Sequence, residues 1–257
     1  KAFLLEAAGP DFLERARTEQ RRWEETDSPW NGTVPGVVKR PLHLSASSLD
    51  GYLQCPFAAL VSQVWKLEPW VEQGAFPAPD VVGDLIHRTL AAFLGKHLGK
   101  GLAGLDRKAL EQELDGVYRD MFHKLCLEGK IPDSPLLDHL RDRYGKWLKA
   151  WLRKEMEYEA ADLLGLKPGR VEWSFGREHS PWPDLVKTLD GEKVYFSGQI
   201  DRIDTNGKNW TLLDYKTGTP PSGQDILQGK AVQLPLYLEA LETLGKVPKE
   251  QILGAGY

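Results

Sequence analysis

Apolar side chains recur at helical spacing through the middle of the chain. Between residues 80 and 94 they are separated by three or four positions, which predicts an amphipathic helix with an apolar face of Val82, Leu85, Ile86, Leu90 and Phe93. Two more helices are predicted over residues 106–128 and 135–164. Ser45 is the predicted N-cap of an earlier helix that extends to about residue 65.

Beyond residue 170 the pattern changes to short runs rich in valine, isoleucine and aromatic residues. These runs predict strands over residues 171–175, 193–204 and 210–215, with Asn206-Gly207 as a hairpin turn between the last two. A helix over residues 225–244, with Pro235 near its start or at a kink, and a strand over residues 252–257 complete the order. This order predicts an α+β fold with a mostly antiparallel sheet and flanking helices.

Turn-forming pairs divide the chain. A short charged helix over residues 12–23 is followed by Ser28-Pro29, Asn31-Gly32 and Pro35-Gly36, so residues 1–40 are interpreted as an N-terminal arm or linker. Residues 41–257 form the predicted main domain, with a helical insertion over residues 101–165. The proline-rich residues 69–79 are a predicted loop.

Composition narrows the class of protein. Hydrophobic residues make up 41% of the 257, enough for a packed core and too many for a disordered chain. No apolar run reaches the roughly 18 residues that a membrane span requires. The net charge of −4 is unusual for a protein whose only task is to coat nucleic acid. It is compatible with a site in which carboxylates surround a metal ion.

Two cysteines, Cys55 and Cys126, lie far apart, and neither belongs to a Cys-x-x-Cys pair. This pattern implies no disulfide framework and no zinc site, and it is typical of a reducing cytosol. The chain begins at Lys1 and no signal peptide follows. We therefore expect a piece of a longer protein, or a processed one, in the cytoplasm.

Two aspartates are the first candidates for chemistry. Asp201 and Asp214 lie on the neighbouring strands of the predicted hairpin, which can bring their carboxylates within a few ångströms of each other. Such a pair repels itself unless a proton or a cation intervenes. Oxygen ligands suit Mg²⁺ or Mn²⁺, so a divalent metal site is predicted here.

Lys216 follows Asp214 at the spacing that places both side chains on one side of a strand. Its ammonium can position a water or hold a phosphate oxygen as charge develops, and the Tyr215 carbonyl between them is a further candidate metal ligand. Asp-x-Lys alone usually marks a solvent-facing ion pair of little energetic value. Here it ends an apolar run and meets a second aspartate, which favours a catalytic role.

His87 lies on the helix predicted over residues 80–94, one turn after Gly83, which would let that helix approach another backbone closely. A single histidine on such a helix more often packs or hydrogen-bonds than binds metal. If it is a ligand, imidazole shifts the preference towards Mn²⁺.

Three further residues each have two interpretations. Gln233 and Tyr237 share a helical face, where they either pack or orient Lys216 and touch a phosphate backbone. Glu172 is either an ordinary exposed strand residue or the ligand of a second metal or water.

Taken in order, these motifs resemble the RecB-type branch of the PD-(D/E)XK nucleases. The family pattern is G-x-x-x-H, a strand glutamate, G-x-x-D-R-x-D, D-Y-K-T-G and Q-x-x-x-Y. The matching residues here are Gly83 and His87, Glu172, Gly198 with Asp201, Arg202 and Asp204, Asp214 to Gly218, and Gln233 with Tyr237. The opening Leu44-Ser45-Ala46-Ser47 and Gln54-Cys55-Pro56-Phe57 is most similar to the C-terminal nuclease domain of AddB-type helicase–nuclease subunits.

The resemblance implies a restriction-endonuclease-like αβββαβ core in which His87, Asp201, Asp214 and the Tyr215 carbonyl bind Mg²⁺ or Mn²⁺. Asp201, Asp214 and Lys216 would be catalytic. Glu172, Gln233, Tyr237 and Arg202 would support the site or contact DNA.

The implied activity is phosphodiester hydrolysis of DNA, with exonuclease the favoured mode. It would serve double-strand-break repair and recombination beside a helicase subunit, or a helicase domain of the same longer protein, away from membranes. The alternative is an inactive DNA-binding module of the same fold, and RNA is a third possible substrate.

Iron–sulfur members of this branch use a cysteine at the Cys55 position together with three downstream cysteines. No cysteine follows Cys126 here, so this chain alone cannot form such a cluster. Without those partners, Cys55 is interpreted as a plain buried residue.

Overall fold

The structure is a computed structural model that describes residues 10–24, 42–67 and 76–257. The described residues divide into two compact units. The first contains helix α1 (Pro10–Glu24), close to the predicted short helix, and the second is Leu42–Tyr257. The turn pairs predicted over residues 28–36 and most of the predicted loop over residues 69–79 lie outside the described residues. The assignment of residues 1–40 as an arm stays a prediction.

The helix predicted from Ser45 to about residue 65 is wrong in its length. Ser45 does cap helix α2 (Ala46–Gln54), accepting a hydrogen bond from the Ser48 N–H at 3.0 Å. Pro56 then starts a separate short helix, α3 (Pro56–Ala59), because proline has no N–H to continue the preceding ladder. A π-helical turn (Leu60–Val64) follows. Cys55, between the two helices, is exposed rather than buried as expected.

The three helices predicted for the middle of the chain are confirmed as α4 (Pro79–Leu94), α5 (Arg107–Leu127) and α6 (Leu137–Ala161). Their apolar faces pack together, with Leu85, Phe93, Tyr118 and Leu152 among the buried residues. Burial of these faces holds α5 and α6 against α4.

The sheet is built around one long strand, β4 (Glu192–Thr205). Its first half pairs in parallel with β1 (Leu42–Ser45) and antiparallel with β3 (Leu185–Leu189). Its second half pairs antiparallel with β2 (Lys167–Phe175) and β5 (Trp210–Leu213). Finally, β5 pairs in parallel with β6 (Ile252–Gly256). The mostly antiparallel α+β arrangement is confirmed, although β1 and β3 were not predicted.

The single helix predicted over residues 225–244 is wrong, because two helices form there. These are α7 (Gly223–Leu227) and α8 (Gln233–Thr243), separated by a turn in which Gly229 has a φ of +68°. Only glycine adopts that conformation without steric cost, so the chain leaves the helix at this point. Pro235 lies in the first turn of α8, where its missing N–H costs no hydrogen bond.

Helix α8 packs on the sheet and forms a second apolar cluster with it. Its buried members include Phe175, Ile200, Ile203, Leu212 and Tyr237. Within the described ranges, no helix combines the length and the apolar composition that crossing a bilayer requires.

Candidate active site

The segment that follows β5 carries Asp214, Tyr215 and Lys216. The strand ends at Leu213, two residues earlier than predicted, but the Asp214 N–H donates to the Gly256 carbonyl at 3.0 Å. This bond keeps the segment aligned with β6. Asp214 is buried at 2% exposure, and Asp201 on β4 is buried at 7%. Both carboxylates are therefore held on ordered backbone inside the protein.

The backbone of Tyr215 joins two of the predicted metal ligands. Its N–H donates to Asp201 Oδ2 at 2.7 Å, and its carbonyl accepts a hydrogen bond from His87 Nε2 at 2.8 Å. His87, on α4, also places Nδ1 3.3 Å from Asp201 Oδ1. His87, Asp201 and the Tyr215 carbonyl, which the family resemblance groups as ligands, thus lie together.

A cluster of metal-ligating atoms forms around this point. One ligand atom from each of His87, Glu172 and Asp201 lies within 4.8 Å of the other two. Glu172, which the sequence left open as an ordinary strand residue, a supporting residue or a ligand of a second metal or water, is a member of this cluster. Asp214 is not a member, so its role as a direct ligand stays a prediction.

The electrostatics of the cluster fit a bound cation. Burial and the charge of Asp201 raise the pKa of Glu172 to about 7. The same two causes raise the pKa of Asp214. Burial lowers the pKa of His87, but the hydrogen bond and charge of Asp201, the Tyr215 carbonyl and the charge of Glu172 together outweigh burial and leave the pKa raised. A divalent cation among crowded carboxylates stabilises their ionised form, which burial and mutual repulsion otherwise disfavour. Mixed oxygen and imidazole donors suit Mg²⁺ or Mn²⁺.

Lys216 is held by two partners beside the cluster. Its Nζ lies 2.5 Å from Asp214 Oδ2 and donates to Gln233 Oε1 at 2.8 Å. The Gln233 amide nitrogen donates to Asp214 Oδ1 at 2.8 Å and to the Tyr237 hydroxyl at 3.1 Å. These bonds match the orienting alternative for Gln233 and Tyr237 rather than simple packing. They fix an ammonium group that is still about a third exposed.

Arg202 cannot reach DNA, which corrects half of its predicted role as a supporting or DNA-contacting residue. Its side chain is 1% exposed. The guanidinium donates to both oxygens of Asp204, at 2.6 and 2.7 Å, and lies 2.6 Å from a Glu155 oxygen. A buried guanidinium paired in this way supports the structure from inside.

Two residues near the cluster were missed by the sequence analysis. Gln199 donates a hydrogen bond to Glu172 and accepts one from Arg177 at 2.6 Å. Gln199 is two residues before Asp201 on β4 and so faces the same side of the sheet, a signal that the sequence did contain. Arg177 lies beyond the end of β2, and nothing in its local pattern marks it.

The prediction that Gly83 permits a close backbone approach is wrong. A Cβ added there would lie 3.7 Å from the Thr217 hydroxyl, an ordinary contact distance. Gly198 is the crowded glycine instead, because a Cβ there would lie 2.7 Å from ring atoms of both Phe175 and Tyr237.

An open cleft of about 830 Å³ gives solvent access to the metal-ligating cluster. Its lining includes His87, Glu172, Arg177, Gln199, Asp201 and Gln233. One solvent-accessible space is therefore lined by the metal-ligating cluster, by the Gln233 amide that holds Lys216, and by the guanidinium of Arg177.

Comparison with known proteins agrees with this geometry. The model of the PD-(D/E)XK nuclease superfamily matches residues 43–257. Three similar proteins are each named as a subunit of an ATP-dependent helicase/deoxyribonuclease. The one from Clostridium tetani is 28% identical over 233 residues, which cover 84% of this chain and 19% of the relative. Those from Moorella thermoacetica and Pelotomaculum thermopropionicum are 31% and 32% identical, covering 80% and 79% of this chain and 18% of each relative.

The chain thus spans about a fifth of the length of the curated relatives it matches. The resemblance to helicase–nuclease subunits that the opening motifs indicated is confirmed by these matches.

Proposed function

This chain belongs to the PD-(D/E)XK nuclease superfamily, and from that premise we propose that it is a divalent-metal-dependent deoxyribonuclease that hydrolyses phosphodiester bonds. The observation that carries the proposal is the convergence of His87, Glu172 and Asp201 within 4.8 Å, in the lining of an open cleft. The names of the relatives, which include the word deoxyribonuclease, support DNA as the substrate.

Mg²⁺ or Mn²⁺ would be held by His87, Glu172 and Asp201, with Asp214 and the Tyr215 carbonyl as further proposed ligands. The ion would supply Lewis-acid activation of the phosphodiester. His87 would release a proton to become a ligand, and its bond to the Tyr215 carbonyl already orients the ring.

Lys216 would act on the phosphate. Its ammonium, held by Asp214 and Gln233, is oriented before substrate arrives and can donate a hydrogen bond to a phosphate oxygen as negative charge develops there. Preorganised donors of this kind favour the transition state over the bound substrate because they need no rearrangement during the reaction.

Arg177 would hold the DNA backbone. Among the cleft residues that the structure describes, Arg88 is paired with Asp84 at 2.6 Å, whereas the Arg177 side chain donates to the uncharged amide of Gln199. A guanidinium with unused donors is suited to bidentate contact with phosphate.

The wider setting is also a proposal. Because the relatives' names join a helicase to a deoxyribonuclease, we place this activity beside a helicase subunit or a helicase domain of the same longer protein. Double-strand-break repair is the proposed process and exonuclease the favoured mode. The cytoplasm is the proposed compartment, on the basis of two free cysteines.

The test is digestion of linear DNA by the purified full chain with Mg²⁺ or Mn²⁺, and with EDTA as the metal-free control. We expect Asp214→Asn and Lys216→Ala each to lower the rate by about a hundredfold or more. Lys154→Ala, an 81% exposed lysine on α6, is the matched control and should leave the rate unchanged.

Two other outcomes would identify the rival functions. Equal background cleavage by all variants, with DNA binding retained, would leave an inactive DNA-binding module. Faster digestion of single-stranded RNA than of DNA in a parallel assay would identify a ribonuclease instead.

A further inference from the structure

Tyr215 connects the metal-ligating cluster to the interior of the protein. Its backbone forms hydrogen bonds with Asp201 and His87. Its side chain points away from the cleft and packs against the apolar cluster of α4, α5 and α6. The Tyr215 hydroxyl accepts a hydrogen bond from Arg202 Nη1 at 3.2 Å. One residue thus bonds the buried Arg202 through its side chain and two predicted metal ligands through its backbone.

Arg202 is itself fixed by two carboxylates. Asp204 comes from the same strand, but Glu155 comes from α6, in the helical insertion. With Arg202 at 1% and Glu155 at 10% side-chain exposure, little water is present to replace either partner. Removing the guanidinium would leave two buried carboxylates uncompensated, and removing either carboxylate would leave guanidinium N–H groups without their acceptor, so the set holds its geometry.

Helix α6 reaches Tyr215 by a second route. The ring of Trp151 meets the ring of Tyr215 edge to face, with centroids 6.2 Å apart. Trp151 and Glu155 are four residues apart and so lie on one face of the helix. One face of α6 thus contacts both the Tyr215 ring and the arginine that bonds its hydroxyl.

We infer that the helical insertion positions the segment Asp214–Lys216 through successive contacts from Glu155 to Arg202 and from Arg202 to Tyr215. Glu155 and Arg202 are positioning residues, since neither touches the cleft. The inference rests on the proposed function, because it concerns the affinity of the same site for its metal. Partners one step behind a metal ligand typically change metal affinity by about 10- to 100-fold when they are mutated.

The chain offers a matched control on the same helix. Glu159 is one turn beyond Glu155 and is 5% exposed. Its carboxylate accepts from the N–H groups of Leu102 and Ala103, at 2.5 and 2.9 Å, and lies 3.5 Å from Lys167. Glu159 therefore anchors the insertion through bonds that do not pass through Tyr215.

The experiment compares Glu155→Gln, Tyr215→Phe and Glu159→Gln with the unmodified chain. Mn²⁺ affinity is measured by isothermal titration calorimetry, and stability by urea unfolding without metal. We expect Glu155→Gln to lower Mn²⁺ affinity about tenfold or more. Tyr215→Phe, which removes one hydroxyl and keeps the ring, should lower it in the same direction. Glu159→Gln should cost stability and leave Mn²⁺ affinity unchanged.

Equal Mn²⁺ affinity in Glu155→Gln, Tyr215→Phe and the unmodified chain would overturn the inference. So would equal losses in Glu155→Gln and Glu159→Gln, since the effect would then follow stability alone. If Glu155→Gln does not fold, Tyr215→Phe decides between the two outcomes. Failure of the proposed function is distinct, because the unmodified chain itself would then bind no Mn²⁺ or cleave no DNA.

Discussion

At the scale of single residues, Glu172 combines an unusual backbone conformation with a carboxylate in the metal-ligating cluster. It lies within β2, yet its φ is +48°, in the left-handed region that non-glycine residues rarely adopt. That conformation accompanies a carboxylate placed beside His87 and Asp201. Strained residues of this kind persist where the surrounding structure over-determines them, often at functional sites.

The strain at Glu172 can be measured by comparing two substitutions. Glu172→Ala and Glu172→Gly both remove the carboxylate, and they differ only in the Cβ that disfavours positive φ. We expect the glycine variant to be more stable than the alanine variant by about 1 kcal/mol in urea unfolding. An alanine variant more stable by about 0.5–1 kcal/mol, its ordinary entropic advantage over glycine, would show that the conformation at this position carries no strain.

Protonation of Glu172 predicts a pH-dependent difference between two proteins. The folded pKa of about 7 is above the ordinary value of 4.5, so its contribution to stability is complete below 4.5 and is lost as pH rises through 7. Glu172→Gln mimics the protonated form at every pH. In metal-free urea unfolding, we expect it to match the unmodified chain at about pH 5 and to be more stable at about pH 8. A stability difference that does not vary with pH would contradict this.

At the scale of elements, the packing of α8 on the sheet depends on Gly198. A Cβ at this position would lie 2.7 Å from ring atoms of both Phe175 and Tyr237, which are buried and have little freedom to move. Tyr237 accepts a hydrogen bond from Gln233, and Gln233 holds Asp214 and Lys216. The close approach of one helix to one strand therefore positions the proposed catalytic lysine.

Gly198→Ala is expected to destabilise the protein by about 1–3 kcal/mol, the usual cost of overpacking a core. Its matched control is Gly83→Ala, where the added Cβ meets ordinary contact distances inside α4. That control should gain up to about 1 kcal/mol from the higher helix propensity of alanine. Thermal unfolding of both variants checks the pair, and a destabilised Gly83→Ala or a neutral Gly198→Ala would be contrary to it.

At the scale of the whole molecule, the site lies where two apolar clusters approach each other within the unit Leu42–Tyr257. Tyr215 packs against the cluster of α4, α5 and α6, and Tyr237 belongs to the cluster between the sheet and α8. His87 comes from a helix of the first cluster, whereas Glu172 and Asp201 come from the sheet. The relative placement of the two clusters therefore determines the geometry of the metal-ligating atoms.

A truncation tests whether this unit is sufficient. All residues of the candidate site and both apolar clusters lie within residues 42–257. We expect a protein of these residues alone to keep the unfolding midpoint and the Mn²⁺ affinity of the full chain, as independent domains do. Loss of either property would show that residues 1–41 contribute to the folded domain, against the proposed division into arm and domain.

Local information in the sequence determined much of this protein. Apolar spacing predicted α4 and α6, and runs rich in β-branched and aromatic residues predicted β4, β5 and the second half of β2. The ordered motifs indicated the family. Asp201, Asp214 and Lys216 were predicted as site residues because a spacing of two on a strand already constrains which side chains are neighbours.

Tertiary structure decided what depends on distant neighbours. It placed Glu172 among the metal-ligating atoms, buried Arg202 between Glu155 and Asp204, and made Gly198 rather than Gly83 the crowded glycine. None of these follows from the local pattern, because each depends on contacts between segments far apart in sequence. Backbone strain, burial of a charge and the space around a glycine exist only once those segments have packed together.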